Sequence, residues 1–136
     1  MTKNITPNIT EIFNNSYERC TKDDQFFDRF YQIFLASNEE VKKKFRLTDM
    51  EKQKGMLKNS LIFLLASYLD SSQLNKIARS HSKQQYNIEP KLYVFWLDSM
   101  IESVRVTDSH FSEDIESAWR AVMQKGIDYM IRNYEN

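Results

Sequence analysis

The chain has 136 residues, and its 19 Lys+Arg balance 19 Asp+Glu to a formal net charge of zero. That length supports one domain with a sizeable core, and the balance excludes the basic surplus of nucleic-acid and polybasic membrane-surface binders. Only 2 Gly and 2 Pro leave too little turn punctuation for a multi-strand sandwich or barrel, and no glycine cluster for a phosphate-cradling loop.

Apolar residues recur at helical spacing almost throughout. Ile9, Ile12, Phe13 and Tyr17 mark a first helix, entered near Thr6-Pro7, where proline suits a first helical position. Phe26, Phe27, Phe30, Tyr31 and Phe34 give a second helix an aromatic inner face. A short piece, Asn38 to Phe45, follows. Thr48 and Glu51 have the spacing of a capping box. They open a long helix with an inner stripe of Met50, Gln53, Leu57, Leu61, Leu64, Leu65 and Tyr68. Asp70 or Ser71 can cap the next helix, which carries Leu74, Ile77, Ala78 and His81. Pro90 starts another with Tyr93, Trp96, Leu97, Met100, Ile101 and Val104, and the last runs from about Ser112 to Tyr134. The expectation is one all-α domain over residues 1–136, with about seven helices of unequal length.

Chemistry has few carriers here. Cys20 stands alone, so neither an internal disulfide nor a Cys/His zinc cluster can be built on it. The run Lys42-Lys43-Lys44 reads as a solvated face. Met1–Thr10 lacks the order of a signal peptide. The longest apolar run, Leu61–Ala66, falls far short of the ~20 residues of a membrane span. A soluble, cytoplasmic protein is expected, with neither nucleic acid nor membrane as partner. Of the two histidines, His110 reads as a surface residue before the last helix. His81 continues the series Leu74, Ile77, Ala78, which puts its imidazole on an apolar helix face. Such a residue is either a core histidine bonded to backbone or a single axial ligand to haem iron. Gln53 and Tyr31 are also awkward, because each places a polar group on a buried face, costing about 1–3 kcal/mol if unsatisfied. Either a polar ligand lies between them, or they bond each other or water at a helix crossing.

The stretch Phe30-Tyr31-Gln32-Ile33-Phe34, with Glu40-Val41-Lys42-Lys43-Lys44-Phe45, resembles the second helix and following corner of bacterial single-domain globins, relatives of the flavohaemoglobin globin domain. Gln53-Lys54-Gly55-Met56-Leu57 is similar to their distal helix. Ile77-Ala78-Arg79-Ser80-His81, then Ile88-Glu89-Pro90-Lys91-Leu92-Tyr93, resembles their proximal helix and the start of the next. The resemblance covers nearly the whole chain and implies a globin fold around haem b (iron protoporphyrin IX). It makes His81 the metal ligand, its other ring nitrogen donating to the Ile77 carbonyl or the Ser80 hydroxyl. It implies that Phe45 packs on the porphyrin, that Tyr31 and Gln53 form the distal, catalytic pair, and that Leu57 limits the pocket. Ile88, Tyr93, Trp96 and Met100 would line the haem, with Met130 closing it. Arg46, Arg79 and Lys83 are candidates for its propionates on charge and position alone.

The function implied is reversible binding of oxygen and other diatomic gases, since phenol and amide donors favour a ligand that takes on negative charge. With an external reductase the same site would convert nitric oxide to nitrate, and weak peroxidase activity is within reach of an exposed haem. No flavin or nicotinamide module accompanies the globin pattern in this sequence, hence the outside reductase. A homodimer is left open. Three features depart from the flavohaemoglobin pattern. Tyr93 lies two residues farther from the histidine, no glutamate sits at the expected place in the last helix, and Glu39 stands near the usual proline of the third helix. The competing readings are a haem-based gas sensor or ligand-carrying module acting through a protein partner, and a haem-free globin-like interaction protein.

Overall fold

A computed structural model describes residues 8–69 and 75–135. Among these the chain forms seven α-helices, one 3₁₀ turn and no strand, the all-α architecture expected from its periodicity. Helix α1 (Ile9–Thr21) is capped by Asn8, whose side chain accepts from the Thr10 amide at 2.9 Å. The entry expected at Thr6-Pro7 lies outside the described residues. Helix α2 (Phe26–Ser37) buries Phe26, Phe30, Tyr31 and Phe34. Asn38 ends α2 in extended backbone and caps α3 (Glu39–Lys44), which starts with Glu39 and carries its three lysines in the last turn. Acids at the start and cations at the end suit the helix dipole of so short a piece.

Helix α4 (Met50–Leu69) starts differently from the expectation. The capping box does not form. Asp49 Oδ1 accepts from the amides of Glu51 and Lys52 at 3.1 and 3.3 Å, and the Glu51 carboxylate bonds Lys54 at 2.6 Å. Thr48 is already held in the turn after α3, its amide donating to the Phe45 carbonyl, so the carboxylate one residue later takes over the capping. Asp70, Ser71 and Leu74 lie outside the described residues. Helix α5 (Asn75–His81) follows. Pro90 opens a 3₁₀ turn, Pro90–Leu92, rather than the helix itself, and α6 (Tyr93–Thr107) continues from it. Ser112 caps α7 (Glu113–Arg132) by accepting from the Ile115 amide.

The core sits where α2 packs on α6 and α1 on α7. Trp119, Phe13, Phe26 and Phe30 are fully buried, and each such burial stabilises by roughly 1.5–3 kcal/mol. The rings of Phe13 and Trp119 approach to 4.6 Å between centroids. A polar strut crosses this apolar layer. The indole Nε1 of Trp119 donates to Ser16 Oγ at 2.9 Å, and Ser16 donates to Asp108 Oδ2 at 2.6 Å. Arg19 clasps the same carboxylate at 2.7 and 3.0 Å. The Asp108 carboxylate is thereby satisfied where its side chain has no exposure to water. Between α2 and α6, Arg29 donates to the Thr107 hydroxyl at 2.6 Å. Between α2 and α4, Lys54 pairs with Asp28. These ties fix α2 against both neighbours and so place Tyr31. Among the described residues no helix is long and apolar enough to cross a membrane.

Candidate functional site

A cavity of about 520 Å³ opens among α2, α3, α4, α5, α6 and α7. That volume falls within the range of cofactor and small-ligand sites. Of the residues singled out from sequence, Tyr31, Phe45, Gln53, Leu57, His81, Ile88, Tyr93, Trp96 and Met130 stand on its wall. Three do not. Met100 is fully buried and does not reach the wall, because its place on α6 turns it into the helix packing. Ser80 is adjacent to His81 but off the wall, and the Ile77 side chain lies outside the described residues.

His81 is the last residue of α5, a position that leaves its carbonyl free to accept from the Ile88 amide at 3.2 Å. Ser80 Oγ lies 3.1 Å from its Nδ1, a contact that holds that side of the ring. The Tyr93 ring packs beside it, centroids 6.5 Å apart and inclined at 30°. The Tyr93 hydroxyl donates to the Met130 sulfur at 3.8 Å, and burial raises its pKa well above that of a free phenol. Glu135, the acid closest to the chain's end, lies 3.8 Å from Lys83 instead.

The aromatic face of α2 supplies the other polar group. Tyr31 is 5% exposed, wedged against Phe30 at 4.9 Å and Phe45 at 6.1 Å between centroids. Burial pushes its pKa up to about 12, against a smaller opposing effect of its hydrogen bond with the Gln53 side chain. The phenol is therefore a neutral O–H donor at neutral pH. Tyr31 from α2 and Gln53 from α4 both stand on the cavity wall. Phe45 ends α3 and packs on Phe34 at 5.8 Å, so the corner presents an aromatic ring to the cavity.

The charged groups expected near the site sit elsewhere. Arg46, Arg79 and Lys83 are exposed and none reaches the wall. Lys44 and Lys52 do. Lys44 donates to the Asn87 carbonyl at 2.7 Å and lies 3.6 Å from Glu89. Lys52 lies four residues before Met56, which also stands on the wall, so its helical spacing was the available signal. Among the described residues no group of three or more His, Cys, Asp or Glu is placed to hold a metal ion. His110 is exposed, and Cys20 is buried in the last turn of α1.

No protein-family model matches the chain. No curated protein matches it either. Among solved structures, a crystal structure of a protein from Pseudomonas aeruginosa superposes with a TM-score of 0.92 at 34% sequence identity. The match covers 95% of this chain and 100% of that one, and that protein is described as structurally highly homologous to a human hemoglobin. Helix order, a histidine-bearing cavity and this likeness define a haemoglobin-like helical protein. The chain belongs to the globin family, among its bacterial single-domain members.

Proposed function

We propose that this globin binds haem b in its cavity through His81 and takes up oxygen reversibly beside Tyr31 and Gln53. The observation that carries the reading is one cavity with a single imidazole from α5, a phenol–amide pair from α2 and α4, and otherwise mostly apolar and aromatic walls. A lone imidazole suits a metal that arrives already held by its own macrocycle, whereas a bare ion needs several protein donors. Phe45 offers an aromatic face to a flat ring, and Lys44 would offer a cation to carboxylates on its edge. The residues therefore fit the group.

When bound, haem supplies the iron at which a diatomic gas is taken up. The chain does the rest. With Nδ1–H donating to the Ser80 hydroxyl oxygen, Nε2 would be the ring nitrogen that holds the iron. Tyr31 keeps its proton at the hydroxyl oxygen and aims a hydrogen-bond donor into the cavity, and Gln53 braces it. Leu57, Ile88 and Trp96 exclude water, which strengthens both donors. Donors of this kind favour oxygen over carbon monoxide, whose bound form is less polar. The same pair suits conversion of nitric oxide to nitrate, with an external reductase supplying electrons. Mixing the oxygenated protein with nitric oxide in a stopped-flow instrument tests that activity, and slow or absent conversion would remove it while leaving oxygen binding intact.

The primary test is an absorption spectrum of the purified protein, ferric and then reduced, beside His81→Ala. A strong Soret band is expected that shifts on reduction and on adding oxygen or carbon monoxide, and that the substitution weakens or alters. A protein that stays colourless after haemin is added would sink the reading.

A further inference from the structure

Helix α4 is apolar on both sides. Its inner stripe from Leu57 to Leu64 is buried, yet its outer face leaves Ile62 54% and Phe63 47% exposed, and Met56, at the rim of the cavity, is 44% exposed. Gly55, Asn59 and Ala66 share that face and are also exposed. The spacing 52, 55/56, 59, 62/63, 66 alternates steps of three and four, the pattern of a helix seam that faces another helix. Gly55 adds an independent sign. A glycine inside a helix costs stability, and a Cβ built on it would meet nothing within 4 Å, so nothing within the described chain explains it. Close approach of a second backbone would.

We propose that this face pairs with the same face of a second copy of the chain, α4 against α4 in antiparallel order, with the two-fold axis at Asn59. The sizes and charges of this face select that occupant. A two-fold at residue 59 sets residue 63 opposite 55, 62 opposite 56, and 52 opposite 66. Each Phe63 ring then enters the gap over the partner's Gly55, and each Ile62 meets the partner's Met56. The Asn59 amide, donor and acceptor at once, faces its own copy, and a polar residue at one such position fixes register. Lys52, which is exposed at the rim of the cavity, falls beside the last turn of the partner's α4, the negative end of that helix, which has no basic residue of its own. A parallel pairing would instead stack Lys52 on Lys52 and Lys58 on Lys58. The seam from 52 to 66 is ~21 Å long, so the contact is of the small class and the dimer is concentration-dependent.

The test uses the full chain as purified. Sedimentation velocity is expected to show the 16.3 kDa monomer at low concentration and twice that mass as concentration rises. Phe63→Glu is expected to hold it monomeric with an unchanged far-UV spectrum. Gly55→Leu should also hold it monomeric while raising the melting temperature, because the glycine is lost from the helix but the gap is filled. Asn59→Cys should cross-link through a short bis-maleimide at least tenfold faster than the exposed Asn14→Cys on α1. The buried Cys20 leaves little background. A monomer at every concentration, with Asn59→Cys no faster than Asn14→Cys, would overturn the pairing. So would a monomer that floats with phosphatidylcholine vesicles and loses this with Phe63→Glu, which would give the face to lipid.

Discussion

Ser80 Oγ and His81 Nδ1, on consecutive residues, lie 3.1 Å apart, so the histidine on the cavity wall is oriented by its own chain neighbour. An outer partner of this sort sets the ring's tautomer and plane, and its loss typically weakens a metal site 10- to 100-fold. Ser80→Ala is therefore expected to speed transfer of haem to an excess of a haem-scavenging apoprotein by about tenfold. Unchanged transfer, with the Soret band intact, would show that the hydroxyl does not position the ring.

The donor pair gives the second prediction. Tyr31 is nearly buried while Gln53 is half-buried, so the phenol has fewer competing water contacts. Tyr31→Phe should speed oxygen dissociation by about tenfold, the equivalent of one lost hydrogen bond near 1.4 kcal/mol. Gln53→Leu should have the smaller effect, because it removes the brace and leaves the hydroxyl. Stopped-flow displacement of oxygen by carbon monoxide reads both, and the reverse order would make Gln53 the dominant donor.

The Asp108 strut predicts how the fold responds to acid. Burial alone would raise the carboxyl's pKa, but Arg19, Ser16 and the His110 amide outweigh it and hold the value below 3.8. A carboxyl with a lowered folded pKa stabilises the fold above its unfolded value and loses that contribution as pH falls through the folded one. Asp108→Asn should thus cost about 3 kcal/mol at pH 7, and the gap to wild type should shrink as pH falls below about 4. Urea midpoints at pH 7 and pH 3 test this, and a constant gap would contradict it.

Cys20 gives the fourth. Its thiol is fully buried and its pKa is pushed up to about 12, first by burial and then by Asp108. A thiol reagent at pH 8 should label the native protein only at the rate of unfolding, and label it at once in denaturant. Prompt labelling of the native chain would mean α1 opens locally.

Much of the fold was legible because its signals are periodic. The aromatic run from Phe26 to Phe34, the stripe from Leu57 to Leu64 and the series ending at His81 each repeat at helical spacing, and the helices stand there. What was not legible depends on contacts between distant segments. Thr48 and Asp49 are both good caps in isolation, and the turn after Phe45 decides for Asp49. Met100 shares the apolar side of α6 with Trp96, yet it packs into the core while Trp96 reaches the cavity. Arg46 and Lys44 are two residues apart, and the end of α3 puts only Lys44 on the wall. Ser16 is a small hydroxyl on an apolar helix face. Nothing in its neighbourhood announces partners 92 and 103 residues away.

Those separations bear on the order of assembly. The strut joining Ser16 to Asp108 and Trp119 closes the longest loops among the side-chain bonds of the described residues. Loop closure must be met before such contacts return any stability, so the helices nearer in sequence have reason to assemble first and α1 to dock afterwards. Interactions made after the rate-limiting step act on escape from the native state rather than on its formation. Ser16→Ala should accordingly quicken unfolding and leave the refolding arm of the chevron almost unmoved. A slowed refolding arm would place α1 in the nucleus. On this view the Ser16–Asp108–Trp119 strut is a latch on the finished fold, and its contribution is to the lifetime of the cavity rather than to its construction.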